Sequence, residues 1–163
     1  MFEQVIHCHV ERTDGIFYHL SVVYAHNTRN ARQPLWSQLQ NFHAAHKRSL
    51  VIGDFNIILS NEEKIGGITH VADMEDFADC LFSYGLGDLL TSGPSFTWTN
   101  NQIGSDRVCC RLDRALGDHE WFQHFNHVRV EVIEDCLSDH CRLHIKTQQE
   151  TTNGIKNFKF FNF

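Results

Sequence analysis

The apolar run Leu50-Val51-Ile52 closes on Gly53-Asp54-Phe55-Asn56, and no other stretch constrains the chain as much. An apolar run of strand length without polar alternation belongs to a strand buried on both faces, as in layered α/β proteins. Ending it in Gly-Asp-x-Asn sets a carboxylate and an amide at the strand's carboxyl end, where such proteins bind ligands. Ser138-Asp139-His140 precedes a second alternating run, Cys141 to Lys146, and adds a metal-capable carboxylate and a titratable imidazole. Arg111-Leu112-Asp113 lies between the two. Taken singly, each cluster has a plain structural reading. Gly-Asp-x-Asn is common turn chemistry, Ser-Asp-His serves as a strand cap, and Tyr24 is a core or rim aromatic. The three clusters in this order carry the weight.

The remaining pattern mixes strands and helices without strict alternation, and no internal repeat is visible. Ile16 to Tyr24 is rich in β-branched and aromatic residues after Asp14-Gly15 and predicts a strand ending at Tyr24. Leu35, Leu39 and Phe42 recur at helical spacing and predict an amphipathic helix to about His46, with Pro34 in its first turn. Asn61 to Thr69 reads as a polar loop around Gly66-Gly67. Met74, Phe77, Ala78, Leu81 and Phe82 form one face of a second helix, capped by Asp73 and ended by Gly85. Leu86 to Leu90 and Phe96 to Thr99 read as short strands, Val108 to Leu116 as one longer strand, and Asp118 to Phe122 as a helical turn. Val128, Val130 and Val132 alternate with charged residues, as do Leu143 and Ile145, in two half-buried strands. The fold class this supports is layered α/β with mixed sheets.

At 163 residues with 42% hydrophobic content, the chain suffices for one domain with a real core. Residues 1–147 are expected to form it, followed by a linker and truncated tail over 148–163 that carries Phe158, Phe160, Phe161 and Phe163. A formal charge of −6 argues against a broad basic surface for nucleic acid, although a metal ion can neutralise phosphates locally. The six Cys include no C-x-x-C pair and read as free thiols of a reducing compartment. His7 and His9 would share one strand face, but no second cluster completes a zinc site. No signal pattern opens the chain, and no apolar stretch approaches membrane-spanning length. A soluble intracellular protein without a membrane partner is the expectation.

The clusters, with Val23-Tyr24-Ala25, Arg32-Gln33-Pro34-Leu35-Trp36, Glu63-Lys64-Ile65-Gly66-Gly67 and Phe96-Thr97-Trp98-Thr99-Asn100, resemble the endonuclease/exonuclease/phosphatase family. The likeness is nearest to the endonuclease domain of plant non-LTR retrotransposons, which accompanies a reverse transcriptase. It implies a two-sheet sandwich with mixed strands flanked by helices, a Mg2+- (or Mn2+-) dependent phosphodiester hydrolase, and DNA as partner, with nuclear location if DNA is the substrate. By that resemblance Asp54 positions or deprotonates the attacking water and contacts metal. Asn56 donates to the phosphate, and His140 contacts it while held by Asp113. Asp139 helps bind the metal, and Tyr24 and Asn27 contact the phosphate or the metal-site network. All are expected in one cleft. Trp98 reads as packing rather than base stacking.

Family members also carry an amino-terminal portion with an Asn and a metal-binding Glu, and the chain starts after both. The resemblance therefore implies a fold incomplete at its amino terminus, weakened metal binding, exposed sheet edge and impaired activity. Two other readings keep their place: a catalytically silent fragment or interaction module, and a phosphatase acting on a small phosphorylated substrate.

Overall fold

A computed structural model describes residues 3–135 and 137–147. The expected linker and aromatic tail over 148–163 lie outside the described residues. The elements run β1 (Val5–Glu11), β2 (Phe17–Tyr24), α1 (Arg29–Ala45), β3 (Ser49–Asp54), β4 (Lys64–Ile65), α2 (Val71–Tyr84), β5 (Gly87–Asp88) and β6 (Thr91–Ser92). They continue with β7 (Trp98–Thr99), β8 (Cys109–Cys110), β9 (Asp113–Gly117), α3 (His119–His124), β10 (Val130–Ile133) and β11 (Arg142–Ile145).

The main sheet has the order β1-β2-β3-β9-β5, with β2 and β3 parallel and the other pairs antiparallel. Side chains alternate across it, so each strand serves two cores. Val23, Val51 and Leu116 face α1 and α2, where Leu35, Trp36, Leu39, Phe55, Phe77 and Leu81 close one core. Tyr18, Leu50 and Ala115 face the other way, against Trp121, Phe125, Val128 and Val130, with Leu143 and Ile145 packed on them. That second layer contains the sheet β11-β10-β6. A third sheet, β4-β8-β7, sits with Ile58, Met74 and Cys110 as its own small core. The architecture is a mixed α/β sandwich with flanking helices. The second layer leaves part of β1 and β2 open: Ile6 and Val22, cross-strand partners, are 64% and 41% exposed.

Several local expectations change. Val108 to Leu116 is two strands, β8 and β9, in different sheets, because the chain turns at Arg111-Leu112 to leave one ladder for the other. Pro34 lies inside α1, which begins at Arg29. The backbone after Thr28 already has helical pairing, with Arg32 N–H on the Thr28 carbonyl. Asp73 does not cap α2, whose cap position is His70. Its carboxylate is instead taken by Arg32 at 2.7 Å. Asn61 to Thr69 contains a 3-10 turn at Asn61–Glu63 and strand β4. Strand β1 carries little alternation of its own and is made by seven register partners on β2. The five described Cys are free, and no helix among the described residues is long and apolar enough to cross a membrane.

Candidate functional site

The candidate residues collect at one end of the main sheet because three strands carry them there in register. Tyr24 pairs with Asp54, and Asp54 pairs with Asp113. By strand alternation all three lie on the face of Tyr18, Leu50 and Ala115, beneath the second layer. Gly53 permits the approach of β2 to β3. Its φ is +135°, and a Cβ there would stand 2.0 Å from the Val23 carbonyl oxygen.

Beyond Gly53 the chain closes an Asx turn. The Asn56 N–H donates to Asp54 Oδ1 at 2.8 Å, and Asn56 Nδ2 donates to Asp54 Oδ2 at 3.0 Å and to the Ala25 carbonyl at 2.8 Å. Asn56 adopts φ +50°, a left-handed conformation that Asn tolerates better than most residues. Arg32 secures this turn from below. Fully buried, it donates to the carbonyls of Asn56 and His26, both at 3.0 Å, and pairs with Asp73. Its role was not read from the sequence. The available signal was a charged residue at helical spacing with Leu35, Trp36 and Leu39, on a face that is otherwise apolar.

His140 arrives from the segment before β11. Its Nδ1 lies 2.9 Å from Asp113 Oδ2 and donates to it, which fixes the tautomer with Nε2 directed away from the carboxylate. Asp139 is exposed, and its Oδ2 accepts the Trp98 indole N–H at 2.9 Å. Trp98 thus packs on the third sheet while its ring nitrogen holds this carboxylate.

Two openings of the surface border the candidate residues. Asp139 and His140 line a groove of about 760 Å3 with Trp98, Asn101 and Arg107. Asn27 and Asn56 line a separate cavity of about 200 Å3 with Lys64, Met74 and Leu112. Tyr24 is 61% exposed at the end of β2 and lines neither. Asp54 and Asp113 lie between these two openings in the chain's register, at the strand ends that Tyr24 and His140 also reach.

Electrostatics at the strand ends follow from crowding two carboxylates. Burial pushes the Asp54 carboxyl up to about 6, and Asp113 adds to the rise, while the Asn56 N–H, His140 and Arg32 oppose it. For His140, burial favours the neutral ring, but Asp113, through its hydrogen bond and charge, outweighs it together with Asp54 and Asp139. The imidazole is held above its ordinary value. The Trp98 indole N–H holds Asp139 below the usual carboxylate range. A cationic ring, an amide and a carboxylate able to take a proton near neutrality can bind a phosphate and move a proton beside it.

Among the described residues no group of three or more His, Cys, Asp or Glu side chains is arranged to hold a metal ion. Asp54 has both oxygens engaged by Asn56, and Asp139 is engaged by Trp98. Magnesium takes near-octahedral oxygen coordination, usually from one or two carboxylates with waters and substrate phosphate. Asp54 and Asp139 keep oxygen lone pairs beyond those used by Asn56 and Trp98 and are the carboxylates that would hold such an ion.

No protein-family model matches the chain, and none of the curated proteins matches it. Solved structures do. The fold is that of the endonuclease/exonuclease/phosphatase proteins. The endonuclease domain of TRAS1, a telomere-specific non-LTR retrotransposon, superposes with a TM-score of 0.69 at 18% identity, over 90% of this chain and 64% of that one. The 3' phosphatase NExo from Neisseria, bound to product DNA hairpin, gives 0.64 at 17% identity over 90% and 65%. Beta toxin from Staphylococcus aureus with bound magnesium ions gives 0.51 at 14% identity over 88% and 54%. The chain spans less than two thirds of the length of each of these neighbours.

Proposed function

We propose that residues 1–147 are part of a phosphodiester hydrolase domain of the DNA endonuclease type, of retrotransposon origin, with impaired activity on their own. The convergence of Asp54, Asn56, Asp113 and His140 on adjacent strand ends carries this reading, above all the 2.9 Å pair of His140 and Asp113. A DNA phosphate would be bound by the His140 imidazolium and the Asn56 amide. Asp113 keeps the ring oriented and charged as negative charge builds on the phosphoryl oxygens. Asp54, with its raised proton affinity, accepts a proton from the attacking water. Tyr24 and Asn27 flank this end of β2 and would contact the phosphate backbone. Divalent metal, Mg2+ or Mn2+, would meet Asp54 and Asp139 and be held weakly. The retrotransposon endonuclease and the DNA-bound phosphatase among the structural neighbours favour DNA over a small phosphorylated substrate. The likeness to plant elements in Arg32-x-x-Leu35-Trp36 and Arg111-Leu112-Asp113-Arg114 favours the same origin.

Nicking of supercoiled plasmid in Mg2+ tests the reading. Little or no nicking is expected from the 163 residues alone. EDTA-sensitive nicking is expected once an amino-terminal portion with the family's Asn and Glu is joined. In the joined protein Asp54→Ala and His140→Ala should each reduce the rate by about a hundredfold or more. A joined, folded protein that does not nick, or nicking that survives both substitutions, would overturn the assignment.

A further inference from the structure

Of Phe96-Thr97-Trp98-Thr99-Asn100 the site chemistry uses only Trp98, although Thr97 is among the most buried polar groups of the described residues. Thr97 is 1% exposed. Its hydroxyl oxygen accepts two backbone N–H groups, from Leu112 at 3.0 Å and from Asp113 at 2.9 Å. Its own N–H donates to the Cys110 carbonyl at 2.9 Å, and its carbonyl accepts the Cys141 N–H at 2.7 Å.

These four bonds reach both chain segments that carry the imidazole–carboxylate pair. Between Cys110 and Asp113 the backbone leaves the β8 ladder and enters β9 in another sheet. A hydroxyl oxygen with two lone pairs is suited to take both amides of that crossing, which would be costly to bury unpaired. On the other side, Thr97 fixes the residue immediately after His140. The next two residues extend the brace: Trp98 bridges His140, and the Thr99 N–H donates to the Asp139 carbonyl at 3.0 Å.

We propose that Thr97 is a positioning residue for the Asp113–His140 pair, with its hydroxyl setting where Asp113 enters β9 and its backbone setting where His140 meets it. This rests on the reading of that pair as the phosphate-binding end of the site. The side chain touches neither substrate nor reacting atoms. The methyl contributes packing and the hydroxyl the bonds to Leu112 and Asp113, so on the Asp113 side the two contributions separate chemically.

The test compares Thr97→Val, which keeps the shape and loses the hydroxyl, with Thr97→Ser, which keeps the hydroxyl, in the 163-residue chain. NMR reads amide exchange at Leu112 and Asp113 and the His140 Nδ1 proton resonance. Thr97→Val should speed exchange of both amides by about tenfold and remove or shift the His140 proton signal, whereas Thr97→Ser restores both. A folded Thr97→Val protein with an unchanged His140 signal and unchanged exchange would overturn the proposal, even if its melting temperature fell. If Thr97→Val does not fold, the wild-type chain decides. Leu112 and Asp113 amides exchanging as fast as those of exposed loops would overturn it, and protection equal to that of β3 would support it. No nicking is measured, so failure of the hydrolase reading and failure of the brace are told apart.

Discussion

Asp113 and Arg114 are neighbours on one strand, yet they enter opposite electrostatic worlds. Arg114 points to the helix side, where its side chain is fully buried. It pairs with Glu63 and with Asp88 at 2.8 Å, while Arg111 pairs with the same two carboxylates at 3.4 and 3.2 Å. Two cations meet two anions there. On the other face Asp113 stands beside Asp54, with His140 as its paired imidazole. The matched network locks β9 to β5 and to the Asn61–Glu63 turn, and has no charge left to offer. The mismatched cluster holds surplus negative charge at a strand end, which is a stability cost unless a proton, a cation or a ligand resolves it. Two residues apart in role and one apart in sequence, they show how strand alternation separates structure from chemistry.

The largest expected effect breaks the matched side. Arg114→Met should destabilise the domain by about 3–5 kcal/mol, because Glu63 and Asp88 would stay partly buried with only Arg111 between them. Urea unfolding measures it, and a loss under about 1 kcal/mol would mean that the network is solvent-screened rather than locked.

On the mismatched side the sign reverses with pH. Asp54 is raised to about 6, so its ionisation is disfavoured in the folded state. Its destabilising contribution, about 3 kcal/mol, grows as pH rises from the ordinary carboxylate value to 6 and is complete above it. Asp54→Asn should therefore stabilise the protein by about 1–3 kcal/mol at pH 8 and give no gain at pH 3. Equal effects at both pH values would refute the buried-charge account.

His43 supplies the counterpart beneath the sheet. It is buried with neither ring nitrogen hydrogen-bonded, and burial lowers it to about 4. The unfolded chain then binds a proton that the folded chain refuses between pH 4 and 6.5, so stability rises with pH across that window, by about 3 kcal/mol in total. The Asp54 and His43 slopes oppose each other between pH 4 and 6, so the wild-type stability curve should be shallower there than either alone would make it. His43→Phe should expose the falling Asp54 slope, and Asp54→Asn the rising His43 slope. A steep wild-type curve whose slope neither substitution changes would break this balance. His140 adds a smaller contribution that is present below its ordinary value and fades as pH rises through its raised one.

The smallest effect is expected at Asp139, which is exposed. Asp139→Asn retains an acceptor for Trp98 and should leave the melting temperature unchanged. A lowered melting temperature would give the Trp98–Asp139 bond a structural weight that the geometry does not assign it.

The sequence alone determined the periodic elements and the strand-end placement of Asp54, since an apolar run closed by Gly-Asp-x-Asn leaves few alternatives. Helical periodicity likewise set the faces of Leu35, Leu39, Met74 and Phe77, because burying one apolar stripe is a local requirement. Only the tertiary structure decided that Val108 to Leu116 breaks into two sheets, since a change of ladder depends on which strands lie alongside. The same holds for Arg32, Thr97 and the Arg114 network. Their residue types are ordinary, and their importance lies in hydrogen bonds that join segments 15 to 51 positions apart, from Thr97 to Leu112 at one end and Arg114 to Glu63 at the other. The separation of the groove at Asp139 and His140 from the cavity at Asn27 and Asn56 was likewise beyond local pattern. Cavities form where separate chain segments fail to touch, and periodicity carries no information about that.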